Sequence, residues 1–188
     1  MRIIAGEMRS RTILAPKGSD TRPTLDRTRE SLFNILAAEC PESRVLDLYA
    51  GSGALALEAL SRGADSAVIV DNAHSAVEMI QRNAQSVIKD ECEFKVQILR
   101  TDYRTAIKSL EGKLFDLIFL DPPYRMAEAY ADALERMNAA EMLAPGCLII
   151  CERLKSTELN LPEPFRAFDT RLYSDTAVDF AEIGATEE

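Results

Sequence analysis

Val45-Leu46-Asp47-Leu48-Tyr49-Ala50-Gly51-Ser52-Gly53-Ala54-Leu55 is the stretch on which the fold turns. It passes from an apolar β-type segment through a glycine-rich turn into a helix start, the arrangement that places a ligand at the carboxyl end of a strand in an open α/β sheet. Glycine lets a ligand approach the backbone there, and the helix N-terminus offers free N–H groups. Asp47 sharpens the reading, because it stands four residues before Gly51 at the end of an apolar run. A pyrophosphate would be repelled by that carboxylate, whereas the ammonium group of an amino acid would pair with it. The third glycine of the dinucleotide fingerprint is also missing, since Ala56 occupies its place. Asp47, Tyr49, Gly51 and Gly53 are therefore read as a site for S-adenosylmethionine (SAM) rather than NAD.

Outward from this turn, apolar β-type runs at 45–49, 67–70, 94–99, 115–120 and 148–151 alternate with helical patterns at 54–62, 74–89, 103–111 and 126–142. Such alternation predicts a mostly parallel sheet with right-handed crossovers and helices on both faces, a Rossmann-like α/β fold. Two further runs, 165–173 and 176–183, are separated only by Ser174-Asp175 and predict a closing hairpin whose second strand is antiparallel to one neighbour. Ahead of the sheet, 2–5 and 11–15 read as a small hairpin or extended arm, 16–23 as a loop, and 24–40 as a helix capped by Thr24 and stopped by Pro41. The expected division is an N-terminal extension over 1–41 and a main domain over 42–188.

Other acids recur at strand ends. Asp71 closes the run 67–70 and lies 18 residues after Gly53, where an acid can accept from both ribose hydroxyls; Asn72 is a second candidate. Asp71 could equally cap the helix that follows. Asp102, with Tyr103 beside it, either binds the adenine amino group or caps the helix over 103–111.

Phe115-Asp116-Leu117-Ile118-Phe119-Leu120-Asp121-Pro122-Pro123-Tyr124 carries the reacting end. Two prolines directly after a buried strand remove two N–H donors and fix two φ angles, so the backbone leaves the sheet in a rigid turn. An exocyclic base nitrogen is a poor nucleophile because its lone pair is delocalised into the ring. Holding its N–H bonds with acceptors localises that pair toward an electrophile. Asp121 and the Pro122 carbonyl are the expected acceptors, and Tyr124 the surface on which the base stacks, worth about 1–3 kcal/mol.

Composition narrows the setting. The chain is 47% hydrophobic, yet no apolar run approaches the roughly 20 residues of a membrane span. Charges interrupt Met1 to Arg9 where a signal peptide would be apolar, so a soluble, cytoplasmic protein is expected. Cys40, Cys92, Cys147 and Cys151 form no C-x-x-C pair, and with the lone His74 they offer no zinc spacing; reduced thiols and no metal are expected. The net charge of -9 argues superficially against a polyanionic partner. Residues 1–35, however, hold seven Arg/Lys against four Asp/Glu. Arg9, Arg11, Arg22, Arg27 and Arg29 are the candidate nucleic-acid contacts.

With these motifs in hand, the sequence resembles the amino-methyltransferases carrying a (D/N)-P-P-(Y/F/W) motif, and more narrowly the RsmD family. The narrower resemblance rests on Met1-Arg2-Ile3-Ile4-Ala5-Gly6, on Arg22-Pro23-Thr24 with the segment from Arg27 to Asn34, on Leu55 to Ala64, and on Arg171 to Ala177. It implies a seven-stranded SAM-dependent fold with an N-terminal RNA-binding extension, acting on guanine N2 of 16S ribosomal RNA, at guanine 966, in the small subunit or an assembly intermediate. The acidic body suggests added reliance on ribosomal proteins, and no apolar stripe argues against a monomer. Asp71 stands where the family usually has glutamate, and Ser174 where glycine is frequent. A DNA adenine-N6 or cytosine-N4 methyltransferase and a non-catalytic SAM- or RNA-binding assembly factor stay open as alternatives.

Overall fold

The structure, a computed structural model, describes residues 1–15, 22–88, 95–123, 126 and 128–184. Seven strands form one sheet: β1 (Arg44–Asp47), β2 (Ser66–Asp71), β3 (Val96–Arg100), β4 (Phe115–Leu120), β5 (Leu143–Leu154), β6 (Phe165–Tyr173) and β7 (Thr176–Ile183). Their spatial order is β3-β2-β1-β4-β5-β7-β6, parallel from β3 to β5. The helices fully within the described residues are α1 (Arg22–Ile35), α2 (Ala54–Ser61), α3 (His74–Ile88), α4 (Tyr103–Ser109) and α5 (Ala129–Ala139), with a 3₁₀ turn over Leu36–Ala38. This is the doubly wound architecture expected from the alternation of patterns. The order reverses at β1 and β4, and ligands of such sheets bind outside the carboxyl ends at that point.

The expected closing hairpin is present: β7 inserts between β5 and β6 and is antiparallel to both. A strand boundary is corrected. The β5 run, expected over 148–151, extends to Leu154 because Arg153 and Leu154 pair with Ala177 and Thr176 of β7. The two-residue turn between β6 and β7 puts Ser174 at φ 50, the left-handed conformation that explains why glycine suits the site.

Side-chain alternation along the strands feeds two cores. Val45, Ile69, Phe119 and Ile150 pack under α1, α2 and α3, while Leu46, Val70, Leu120 and Ile149 pack under α4 and α5. The N-terminal hairpin joins the first core: Arg2 bridges Thr12, and Ile3, Met8 and Ile13 are buried. Its backbone is held by a buried acid on α2. Glu58 accepts the N–H groups of Ile4 (2.8 Å) and Ala5 (3.1 Å) and pairs with Arg62 at 2.9 Å. Gly6 has φ +83 and lies so close to α2 that a Cβ would sit 1.7 Å from the Ser61 carbonyl oxygen. We expect Gly6→Ala to cost at least about 2 kcal/mol through strain and clash, read as a lower urea midpoint. An unchanged midpoint would contradict the docking of the hairpin.

Candidate active site

Successive strands deliver acids to one edge. Asp47 and Asp71 end β1 and β2, Asp121 follows β4, and Glu152 lies in β5. Alternation puts Asp47 in phase with Val45, Asp121 with Phe119 and Glu152 with Ile150, on the face covered by α1, α2 and α3. Leu120 is in register with Cys151, so Asp121 and Glu152 come next on neighbouring strands.

Two cavities open here and share Tyr49 and Asp121 as a common wall. The first, of about 490 Å³, brings together Asp71, Asn72, Asp102, Tyr103 and Pro122. The second, of about 260 Å³, is lined by Asp47, Gly51 and Glu152, and is closed from the N-terminal side by Met1, Thr28 and Arg29. Gly53 lines neither cavity; its φ of +74 sets the start of α2. Tyr124 lies outside the described residues, as does the Arg22 side chain.

Asp71 braces the glycine turn, accepting the Gly51 N–H at 2.9 Å and the Ala73 N–H at 2.8 Å. Asp102 is both cavity wall and cap: it accepts from the backbone N–H groups of Arg104 and Thr105 and from the Thr105 hydroxyl at 2.7 Å. Hydrogen bonds from Thr105 lead in holding its carboxyl below the usual range. The Tyr103 hydroxyl donates to Asp132 at 2.6 Å, and its ring lies 5.5 Å from that of Tyr49. Asp132 also receives Arg104 and Arg136, both at 2.9 Å, which fastens α4 to α5 beneath the first cavity.

The acids facing the second cavity are differently placed. Burial pushes the Asp47 carboxyl up to about 7, aided by Asp71 and opposed by backbone N–H groups of Ala56 and Tyr49. Asp121 is raised well above the usual carboxylate range by burial first, then by Glu152 and Asp47. Burial raises Glu152 as well. Among the described residues no hydrogen-bond donor or cation meets the carboxylate of Asp121 or Glu152. The Tyr49 hydroxyl is likewise buried without a partner among the described residues. Cys40 and Cys147 are free, and burial raises them to about 11 and about 12, so neither is a ready nucleophile.

Two residues of consequence escaped the sequence reading, Glu152 and Asp132. The first carried the same signal as Asp47, Asp71 and Asp121, an acid closing an apolar run. Among the arginines, Arg9 and Arg27 are exposed, and Arg11 is half-buried with its guanidinium on the Val87 carbonyl. Arg29 corrects the expectation of a surface contact. It is buried, donates to the Arg2 carbonyl and the Met1 sulfur, and lies 3.9 Å from Glu58, because an internal acid needs a cation.

The family model described as conserved hypothetical protein 95 matches residues 1–182. The chain belongs to this family, the RsmD methyltransferases. Bacillus subtilis YlbH is 35% identical over 165 residues, covering 87% of the chain and 86% of the relative. Ribosomal RNA small subunit methyltransferase D of Haemophilus influenzae is 33% identical over 164 residues, covering 87% and 83%. The solved structure of Escherichia coli yhhF superposes with a TM-score of 0.83 at 25% identity, covering 99% of both chains.

Family members are methyltransferases, and SAM is the cofactor. The site fits it. The joined cavities have the size of a small-ligand cleft, and SAM brings an ammonium and a sulfonium to acids, Asp47, Asp121 and Glu152, that no cation meets among the described residues. Asp47 would hold the ammonium, while Asp71, Asn72 and Asp102 offer acceptors to the ribose and adenine.

Asp47 supplies a test. Its folded value of about 7 lies above the unfolded value of about 4. The stability it contributes is full below pH about 4 and is lost as pH rises through about 7. Asp47→Asn should therefore lose less stability than wild type between pH 5 and pH 8 in denaturant titrations, and should bind SAM at least about tenfold more weakly at pH 8. Parallel stability profiles with unaltered SAM affinity would contradict this role.

Proposed function

We propose that the chain methylates the exocyclic N2 amine of a guanine in 16S rRNA, at the position the resemblance names, guanine 966, within the small subunit or an assembly intermediate. The observation that carries the chemistry is Asp121: a buried carboxylate at the junction of two cavities, met by no donor among the described residues and followed by Pro122 in the cavity wall. The relatives named as small-subunit rRNA methyltransferases support the choice of substrate.

When bound, SAM supplies a methyl group activated by a positively charged sulfur. Asp121 and the Pro122 carbonyl accept the two N–H bonds of the amine, which turns its lone pair out of the ring plane. Positioning of this kind can supply roughly 7–11 kcal/mol of a barrier. As the nitrogen gains its methyl it sheds a proton, and Asp121, as the carboxylate holding that N–H, is placed to receive it. Arg9 and Arg27, exposed on the N-terminal segment, are the candidate phosphate contacts. The chain works as a cytoplasmic monomer, with ribosomal proteins of the subunit adding to recognition.

The direct experiment supplies labelled SAM to unmethylated small subunits, naked rRNA and DNA in parallel and identifies the modified nucleoside. N2-methylguanosine in the ribosomal sample is expected; label in DNA alone would contradict the reading. Asp121→Ala should lose at least about 100-fold in turnover while keeping SAM affinity, because its side chain addresses the target amine and not the cofactor. Loss of SAM binding by the folded variant would place Asp121 in the cofactor site instead. Changing Arg9 and Arg27 together to Ala should weaken RNA binding and lower the salt slope by about one to two units; an unchanged slope removes them from the interface.

A further inference from the structure

The acid that the amine chemistry does not use is Glu152. Along the edge the strands run β1-β4-β5, so Asp121 stands between Asp47 on the side of the glycine turn and Glu152 on the far side. Asp47 belongs to the cofactor end. Glu152 is a strand removed from it, next to Asp121, and lines the same cavity of about 260 Å³. It is rigidly mounted: Glu152 pairs with Val178 of β7, its carbonyl accepts from the Tyr130 hydroxyl, and the next residue, Arg153, clamps Asp179 at 2.6 Å and 3.2 Å. The carboxylate itself meets no donor among the described residues, and the neighbouring Asp121 is buried and equally without one. Two adjacent acceptors fixed on neighbouring strands suit a ligand edge with two adjacent donors, which would satisfy carboxylates that burial otherwise drives to take up protons.

We infer that Glu152 is the residue that selects the base, accepting the N1–H of guanine while Asp121 holds the N2 amine. This rests on the guanine reading given above and supplies its physical ground. Guanine presents N1–H directly beside its N2 amine. Adenine and cytosine carry an acceptor nitrogen beside theirs, N1 and N3, and a carboxylate there repels them. A site built to bond a donor discriminates strongly against an analogue lacking it, because its own polar group is then left unpaired. Glu152 thus turns amine chemistry common to three bases into a reaction of one, by attraction to guanine and repulsion of the others.

The test uses small subunits reconstituted with guanine or 2-aminopurine at the methylated position. 2-Aminopurine keeps the amine but has no hydrogen on N1. Wild type should methylate guanine roughly 10- to 100-fold faster, and Glu152→Gln, whose amide can donate to N1, should shift the ratio at least about tenfold toward 2-aminopurine. SAM affinity should stay within about threefold, which reports an intact fold and cofactor site. Equal rates on the two bases for wild type, or an unshifted ratio for a Glu152→Gln variant that still binds SAM, would overturn the assignment. Wild type that methylates neither base would instead fail the guanine reading on which it rests.

Discussion

Asp47, Asp121 and Glu152 leave three adjoining strands with side chains in phase, and burial makes it costly for all of them to carry charge together. That crowding follows directly from parallel strands ending at a common edge, where every second residue faces the same side. It also dictates what the edge accepts. A ligand with positive charge relieves the repulsion, and a ligand with donors satisfies the carboxylates. SAM has the charge and the proposed guanine would bring the donors, so one arrangement of acids would serve both partners from opposite sides of Asp121.

The rest of the molecule keeps this corner dry and fixed. The N-terminal hairpin is bound to α2 through Glu58 and Gly6, and with α1 it brings Met1, Thr28 and Arg29 over the second cavity. On the opposite face Asp132 collects Tyr103, Arg104 and Arg136, so that α4 and α5 hold the wall of the first cavity. Glu58 and Asp132 carry no chemistry of their own. Each is an anion that several distant donors need at once, and each ties a cavity wall to the sheet.

Much of this was legible in the sequence for a local reason. Strand ends, glycine turns and acids closing apolar runs are short-range signals, and they located Asp47, Gly51, Asp71, Asp102 and Asp121 and brought them to one edge. What failed depended on distant partners. Glu152 closes an apolar run as Asp121 does, but its place beside Asp121 follows from the pairing of β4 with β5. Arg29 carried a positive charge in a basic segment, but its fate was decided by Glu58 on another helix.

The crowding of acids makes a thermodynamic demand that needs no knowledge of the RNA. Isothermal titration of SAM at pH 7 in buffers of different ionisation enthalpy measures the protons exchanged on binding. Net proton release is expected, because an ammonium held by Asp47 would stabilise the charged form of that carboxyl, raised to about 7 by burial, and the release should fade as pH rises above that value. A binding heat independent of the buffer would contradict the account.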